Sequence, residues 1–168
     1  MLIVTVAAEH IMSTENQSQL KEMSLFAEFT DDELDGLLSL VEVISKSAGE
    51  CVVHQDETGD CMFVLTEGSA KVIHRRDGKN FELARLEPGD FFGEIALVDS
   101  GPRSADVEAI TDCKLLRIEH AALRAVAGVY PSAAFKLLIA VGRVMVQRIR
   151  RGNQKYIDSL LAAAAGKD

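Results

Sequence analysis

The spacing of apolar and polar positions along the chain changes twice. From Leu20 to Leu40 apolar residues fall at helical intervals, with Leu34, Leu37 and Leu38 on one stripe. Thr30 followed by Glu33 makes a capping box, and Asp31 and Asp32 sit at the favourable end of the helix dipole. This stretch predicts a short helical lead-in. From Val41 to Glu119 the period falls to two, and turn residues recur at Ala48-Gly49-Glu50, Thr58-Gly59-Asp60, Glu67-Gly68, Arg76-Asp77-Gly78-Lys79, Pro88-Gly89-Asp90 and Ser100-Gly101-Pro102. That spacing predicts short antiparallel strands closed into a sandwich, roll or barrel. After His120 the helical period returns, with a break at Tyr130-Pro131 and a long run to about Ala165; Pro131 suits the first turn of that helix.

The long helix carries a stripe of Ala134, Leu138, Val141, Met145, Ile149, Gly152, Tyr156 and Leu160. At ~1.5 Å per residue it spans roughly 50 Å, more than a domain of this size can cover. Pairing of two copies through a two-fold helix contact is the expectation, with packing on the chain's own strands as the alternative. At the other end, Met1 to Ala8 is apolar but too short to span a bilayer, and it lacks the basic flank and cleavage site of a signal peptide. Neither export nor membrane insertion is expected. The sequence from Met12 reads like a polar N-terminus, so the first eleven residues are expected to be an upstream extension or a loose segment, with a short added strand as the alternative, within a flexible N-terminal extension over residues 1–19.

Composition narrows the function. With 168 residues, 48% of them hydrophobic, the chain can bury one core. The net charge of -8 opposes any general attraction to nucleic acid or an anionic membrane, so an anionic ligand has to be captured locally. Cys51, Cys61 and Cys113 are odd in number and far apart, which suggests neither a disulfide framework nor a zinc site and fits a reducing cytoplasm. His10, His54, His74 and His120 are scattered, and no catalytic triad, phosphate loop or dinucleotide fingerprint is present. The expectation is a binding protein, neither an enzyme nor a metalloprotein.

The chemistry concentrates between Gly89 and Val107. A strand ending at Phe91-Phe92 is followed by Gly93, a helical turn from Glu94 to about Asp99, a Gly101-Pro102 turn, and Arg103 before a new strand. Glycine ahead of a helical turn lets backbone approach a ligand and leaves N–H groups that favour negative charge. Arg103 can return to the same point and offer a planar fork to a phosphate. Glu94 would repel that phosphate but suits a hydroxyl. In a 3′,5′-cyclic nucleotide the ribose 2′-OH is the sugar's free donor, so one acid and one base would read the two ends of a ribose-phosphate unit.

The run Phe92-Gly93-Glu94-Ile95-Ala96-Leu97 with Pro102-Arg103-Ser104-Ala105 resembles the phosphate-binding cassette of cyclic-nucleotide-binding domains, as in catabolite activator proteins and protein kinase A regulatory subunits. The likeness extends to Phe63-Val64-Leu65, Glu67-Gly68 and Leu86 to Asp90, and covers roughly Phe26 to Tyr156. It implies a mainly β fold with flanking helices: an antiparallel, jelly-roll-like β-roll over residues 41–119, the lead-in over 20–40, and a hinge and long helix over 120–168. It implies that Glu94 binds the 2′-OH, that Arg103 binds the exocyclic phosphate oxygen, and that the N–H groups of Ala96 and Ser104 complete the cradle. Gly93 and Gly101 would permit the geometry, with Ile95 and Ala105 completing the cassette. Val72, Leu83 and Leu86 would wall the base, or else be ordinary inward strand positions. Val144, Arg148 and Ile149 fall on the helix face that would cap the base; Arg148 would stack on a purine or stay a solvated basic residue. Asp106 departs from the family pattern, and strand alternation leaves open which face it takes.

The function so implied is a stand-alone sensor of a cyclic mononucleotide, cyclic AMP in preference to cyclic GMP. It would report by movement of its C-terminal helix to an effector protein, with no metal involved. A ligand-independent dimerisation scaffold is the alternative. No helix-turn-helix fits after Tyr156, so DNA binding is not expected.

Overall fold

Thr30 accepts the Glu33 N–H at 3.3 Å, and the Glu33 carboxylate accepts the Thr30 N–H at 2.9 Å. This capping box starts a helix where the sequence places it. The computed structural model describes residues 14–99 and 101–165, so the readings of Met1 to Ala8 and of Met12 lie outside the described residues. The lead-in is two helices, α1 (Thr14–Glu22) and α2 (Asp31–Leu38). The helical reading from Leu20 therefore needs correcting: helix begins earlier, at Thr14, and turns follow in which Phe26 bonds back to Met23 and Phe29 to Phe26. These turns bring Leu25, Phe26 and Phe29 inward together, and burying that cluster outweighs continuing the helix.

Glu33 also joins the two ends of the fold. Its carboxylate takes Lys136 at 2.7 Å and the Ser132 hydroxyl, both from the long helix. These bonds, with Lys136 the largest influence, then Ser132 and Thr30, pull its pKa from 4.5 to about 2. A depressed carboxylate stabilises the fold in its ionised form. Its contribution is complete above about pH 4.5 and is lost as pH falls toward about 2. Glu33→Gln is expected to cost about 1 to 3 kcal/mol at neutral pH and to flatten the acid limb of the stability curve. Denaturant unfolding across that acid range checks this, and parallel profiles for the two proteins would refute it.

The strands are β1 (Glu42–Lys46), β2 (Cys51–Val53), β3 (Thr58–Gly59), β4 (Cys61–Glu67), β5 (Ala70–Arg76), β6 (Lys79–Leu86), β7 (Phe91–Phe92), β8 (Gly101–Pro102), β9 (Asp106–Ala109) and β10 (Cys113–Glu119). A short helix α3 (Ile95–Val98) lies between β7 and β8, and α4 (His120–Val129) and α5 (Pro131–Ala165) close the chain. Two four-stranded sheets, ordered β1-β10-β4-β7 and β2-β9-β5-β6, form the roll, with β3 paired to β8; every pairing is antiparallel.

Strand β4 explains the core. Met62 and Val64 face a cluster with α2, α4 and the start of α5, while Phe63 and Leu65 face Val107, Leu86 and Phe92 between the sheets. Apolar cover on both faces replaces alternation with a continuous apolar run.

The long helix divides in two. Ala133, Ala134, Leu137 and Val141 are buried against the core, with Val144 and Met145 partly so. The expected stripe needs correcting there, because Ala134 and Val141 are core and Met145 partly so, while Leu138 between them is exposed. The large apolar positions left outside are Phe135, Leu138, Ile139, Val146, Ile149, Tyr156, Ile157, Leu160 and Leu161. Among them Phe135, Ile139, Val146, Ile149, Tyr156 and Leu160, with Gly142 and Asn153, follow an alternating four-three spacing, the seam of a helix pair. No helix among the described residues is long and apolar enough to cross a membrane.

Candidate ligand site

A cavity of about 700 Å³ opens between the β2-β9-β5-β6 sheet, the turn around α3 and the middle of α5. Its polar end is built around Arg103. Antiparallel pairing of Thr58-Gly59 with Gly101-Pro102 delivers Arg103 to the loop above β4. Its backbone is held there by the Glu57 carbonyl at 2.8 Å and the Asp56 N–H at 2.9 Å. The side chain lies in a slot between two glycines. A Cβ on Gly59 would fall 2.3 Å from its guanidinium carbon, and one on Gly93, which sits at φ +75, would fall 2.5 Å from Nη1. Nη1 donates to the Gly93 carbonyl at 3.2 Å and Nη2 to the Cys61 sulfur at 3.3 Å. Phe63, stacked on Phe92 with centroids 5.1 Å apart, floors the slot.

Arg103 is only 9% exposed, and among the described residues it meets no carboxylate. A buried cation with neutral partners is costly unless an anion completes it. The cavity wall beside it is where that anion would sit.

Glu94 stands at the other side of the turn, 8% exposed. Its carboxylate accepts Arg148 from α5 at 3.1 Å. The same guanidinium donates to the Phe91 carbonyl at 2.6 Å and lies 5.0 Å from the Phe91 ring centroid. Arg148 is thus neither stacked over open space nor freely solvated: it clasps the long helix to the cassette. The Ala96 N–H, expected in the anion cradle, donates instead to the Gly93 carbonyl at 3.1 Å, as the tight turn into α3 requires. Ser104 is exposed on the cavity rim, with its carbonyl 3.0 Å from His74 Nδ1.

Gly93, Glu94, Ile95, Ala96, Arg103, Ser104 and Ala105 all line this one cavity, as do Val72, Leu83, Leu86 and Arg148. Leu86 is buried, whereas Leu83 is 57% exposed at the mouth on edge strand β6. Of the expected capping positions Val144, Arg148 and Ile149, Arg148 lines it, whereas Val144 packs against the core and Ile149 lies outside it. One residue along a helix turns the side chain by roughly 100°, so Ile149 leaves the face of Arg148 and joins the exposed seam. Arg151, Gly152 and Lys155 share that face instead. The Asp106 question also closes. Ala105 and Val107 line the cavity, so Asp106 points to the opposite side of the strand, where Arg75 pairs with it.

Residues 43–129 match the cyclic nucleotide-binding domain family. The chain belongs to this family. Within it, the chain is similar to the CRP-like cAMP-activated global transcriptional regulator of Mycobacterium tuberculosis, 26% identical over 149 residues that cover 88% of this chain and 65% of that protein. It is 35% identical over 101 residues to the cAMP-dependent protein kinase regulatory subunit of Mycosarcoma maydis, covering 59% of this chain and 19% of that one. The chain thus spans less than two thirds of the length of these relatives. Among solved structures, the N-terminal domain of a transcriptional regulator from Streptomyces coelicolor A3(2) aligns with a TM-score of 0.67 and 34% identity, over 81% of this chain and 95% of that one. The first two are named as regulators, and the Streptomyces coelicolor domain shares the fold of this chain.

Sequence reasoning missed several residues of this cyclic nucleotide-binding domain. Gly59, Cys61 and Phe63 come from β3 and β4, some forty positions before Arg103, and no local motif joins them to it. Arg151 and Lys155 were within reach, since each lies on the same helical face as Arg148.

Proposed function

We propose that this chain is a cyclic mononucleotide sensor, with Arg103 binding the phosphate and Glu94 the ribose 2′-OH. One observation carries the reading: a nearly buried arginine with no acidic partner among the described residues, opening on a cavity whose deeper wall is Val53, Val72, Leu86 and Val107. A phosphate supplies the missing charge, and the apolar wall suits a base. Cyclic AMP is the preferred ligand, on the likeness to regulators named for cAMP and on Arg148, which can offer its guanidinium face to a purine.

The output runs through α5. Glu94 holds Arg148 at 3.1 Å, and a ribose hydroxyl on Glu94 would compete for the same carboxylate. Binding therefore frees or redirects Arg148 and shifts the population of helix positions about the Tyr130-Pro131 joint. The exposed Phe135-to-Leu160 seam turns that shift into a changed contact with a second copy or an effector. Sedimentation velocity reads the self-association. One feature favours a ligand-independent scaffold: the hydroxyl-reading carboxylate already has a partner within the chain.

Amide hydrogen exchange with and without cyclic AMP separates the two. Protection is expected to rise in residues 92–106 and to change in residues 140–158. Change confined to 92–106 would remove the helix output, and change in neither would leave the scaffold.

A further inference from the structure

The roll carries a second group of chemical side chains on its outer face, away from the cavity. Cys51 on β2, His54 just beyond it and Asp106 at the start of β9 each present one donor atom, and these atoms lie within 4.8 Å of one another. A register shift between Cys51 and Val53, where β2 runs against β9, is a bulge of the kind that re-aims side chains. Asp106 is 2% exposed although it faces outward. Its Oδ1 accepts the Gln55 N–H at 2.8 Å and lies 3.8 Å from His54 Nδ1. Its Oδ2 meets the Arg75 guanidinium and, among the described residues, accepts no hydrogen bond.

We propose that Cys51, His54 and Asp106 bind a single zinc-class divalent cation, with the fourth position open beside His54. Sulfur, imidazole and carboxylate together are the donor set of zinc and of tetrahedral cobalt, whereas calcium and magnesium take oxygen. Metal–ligand bonds of about 2.0 to 2.3 Å place tetrahedral donors roughly 3.3 to 3.8 Å apart. The His54–Asp106 pair, at 3.8 Å, needs to close by about 0.3 to 0.5 Å. The pairs that include Cys51, within 4.8 Å, need to close by at most about 1.3 Å, and His54, with 55% of its side chain exposed, is free to move.

On binding, the Cys51 sulfur loses its proton to solvent and forms the metal bond, while His54 binds as the neutral ring. The thiolate and the Asp106 carboxylate then balance the cation. Arg75 adds a positive charge at the Asp106 carboxylate, while Glu108, opposite Cys51 across the strands, is paired with Lys71 at 2.8 Å. The Gln55 N–H and Arg75 hold the carboxylate from behind, as outer partners of a ligating carboxylate do. The donors are divided between two strands distant in sequence, which is why no paired-cysteine motif marks the site.

The test titrates the chelator-treated, full-length chain with Co²⁺ and then with Zn²⁺, following the visible d–d bands and the near-ultraviolet thiolate-to-cobalt transition. One equivalent of tetrahedral Co²⁺ with a thiolate transition is expected, displaced by Zn²⁺. Cys51→Ser should abolish the thiolate transition, and His54→Ala, at an exposed position, should weaken binding by about tenfold or more. Weak six-coordinate spectra, or an unchanged thiolate transition in Cys51→Ser, would overturn the proposal. Unchanged affinity in a folded His54→Ala protein would overturn it too.

Discussion

Arg103→Ala is expected to lower cyclic nucleotide affinity by about 2 to 5 kcal/mol, a loss of roughly 30- to 5,000-fold. The phosphate would otherwise lie in a partly desolvated cavity with no charge of opposite sign at that end. Replacing Arg103 by leucine should have an unusual effect on stability measured without ligand. Arg103 is nearly buried and, among the described residues, its side chain hydrogen-bonds only to a carbonyl and a sulfur, so its desolvation is borne there without a compensating ion pair. Arg103→Leu is therefore expected to lose binding while unfolding stability without ligand holds or rises. A residue placed for packing would behave the other way, with stability falling and affinity following it. Titration calorimetry paired with denaturant unfolding makes the distinction, and a drop in stability with intact binding would remove Arg103 from the site.

Gly59→Ala should abolish most binding without replacing any residue expected to contact the ligand. The backbone at Gly59 is not in the left-handed region, so alanine is conformationally allowed and its strand propensity is better than that of glycine. Its Cβ, however, would fall 2.3 Å from the Arg103 guanidinium. The arginine is the flexible partner and must leave the slot, carrying the anion site with it. A loss of about tenfold or more in affinity, equivalent to about 1.4 kcal/mol, is expected with little change in unfolding midpoint. Gly93→Ala is the harsher variant, because φ +75 and the Cys61 carbonyl 3.1 Å from the new Cβ add strain at the backbone itself. Equal nucleotide affinity in wild type and Gly59→Ala would show that the slot does not hold the arginine for its ligand.

The cassette was legible because Glu94 and Arg103 sit in one continuous segment, where a turn, a short helix and another turn bring them to the same cavity. The period change from helix to strand and back fixed the element types for the same reason: it is a local signal. What could not be read was long-range. The slot for Arg103 needs β3 and β4 to cross the cassette, and nothing around Gly59 or Cys61 announces that crossing. Alternation showed that Ala105 and Asp106 take opposite faces, but parity has no sign until the sheet is assembled. Along α5, a stripe read from spacing alone merged two faces. Ala134 and Val141 pack on the core, while Ile149, Tyr156 and Leu160 stay outside, because core contact ends near Met145 and the helix continues. The same angular shift moved Ile149 off the cavity and left Arg148 on it.

The central claim is that the cavity beside Arg103 takes a cyclic mononucleotide. Calorimetric titration of the chain with cyclic AMP and with cyclic GMP tests it directly. Saturable binding at one ligand per chain is expected, tighter for cyclic AMP and lost in Arg103→Ala. Absence of binding heat for both nucleotides, in a folded protein and at more than one temperature, would contradict the account.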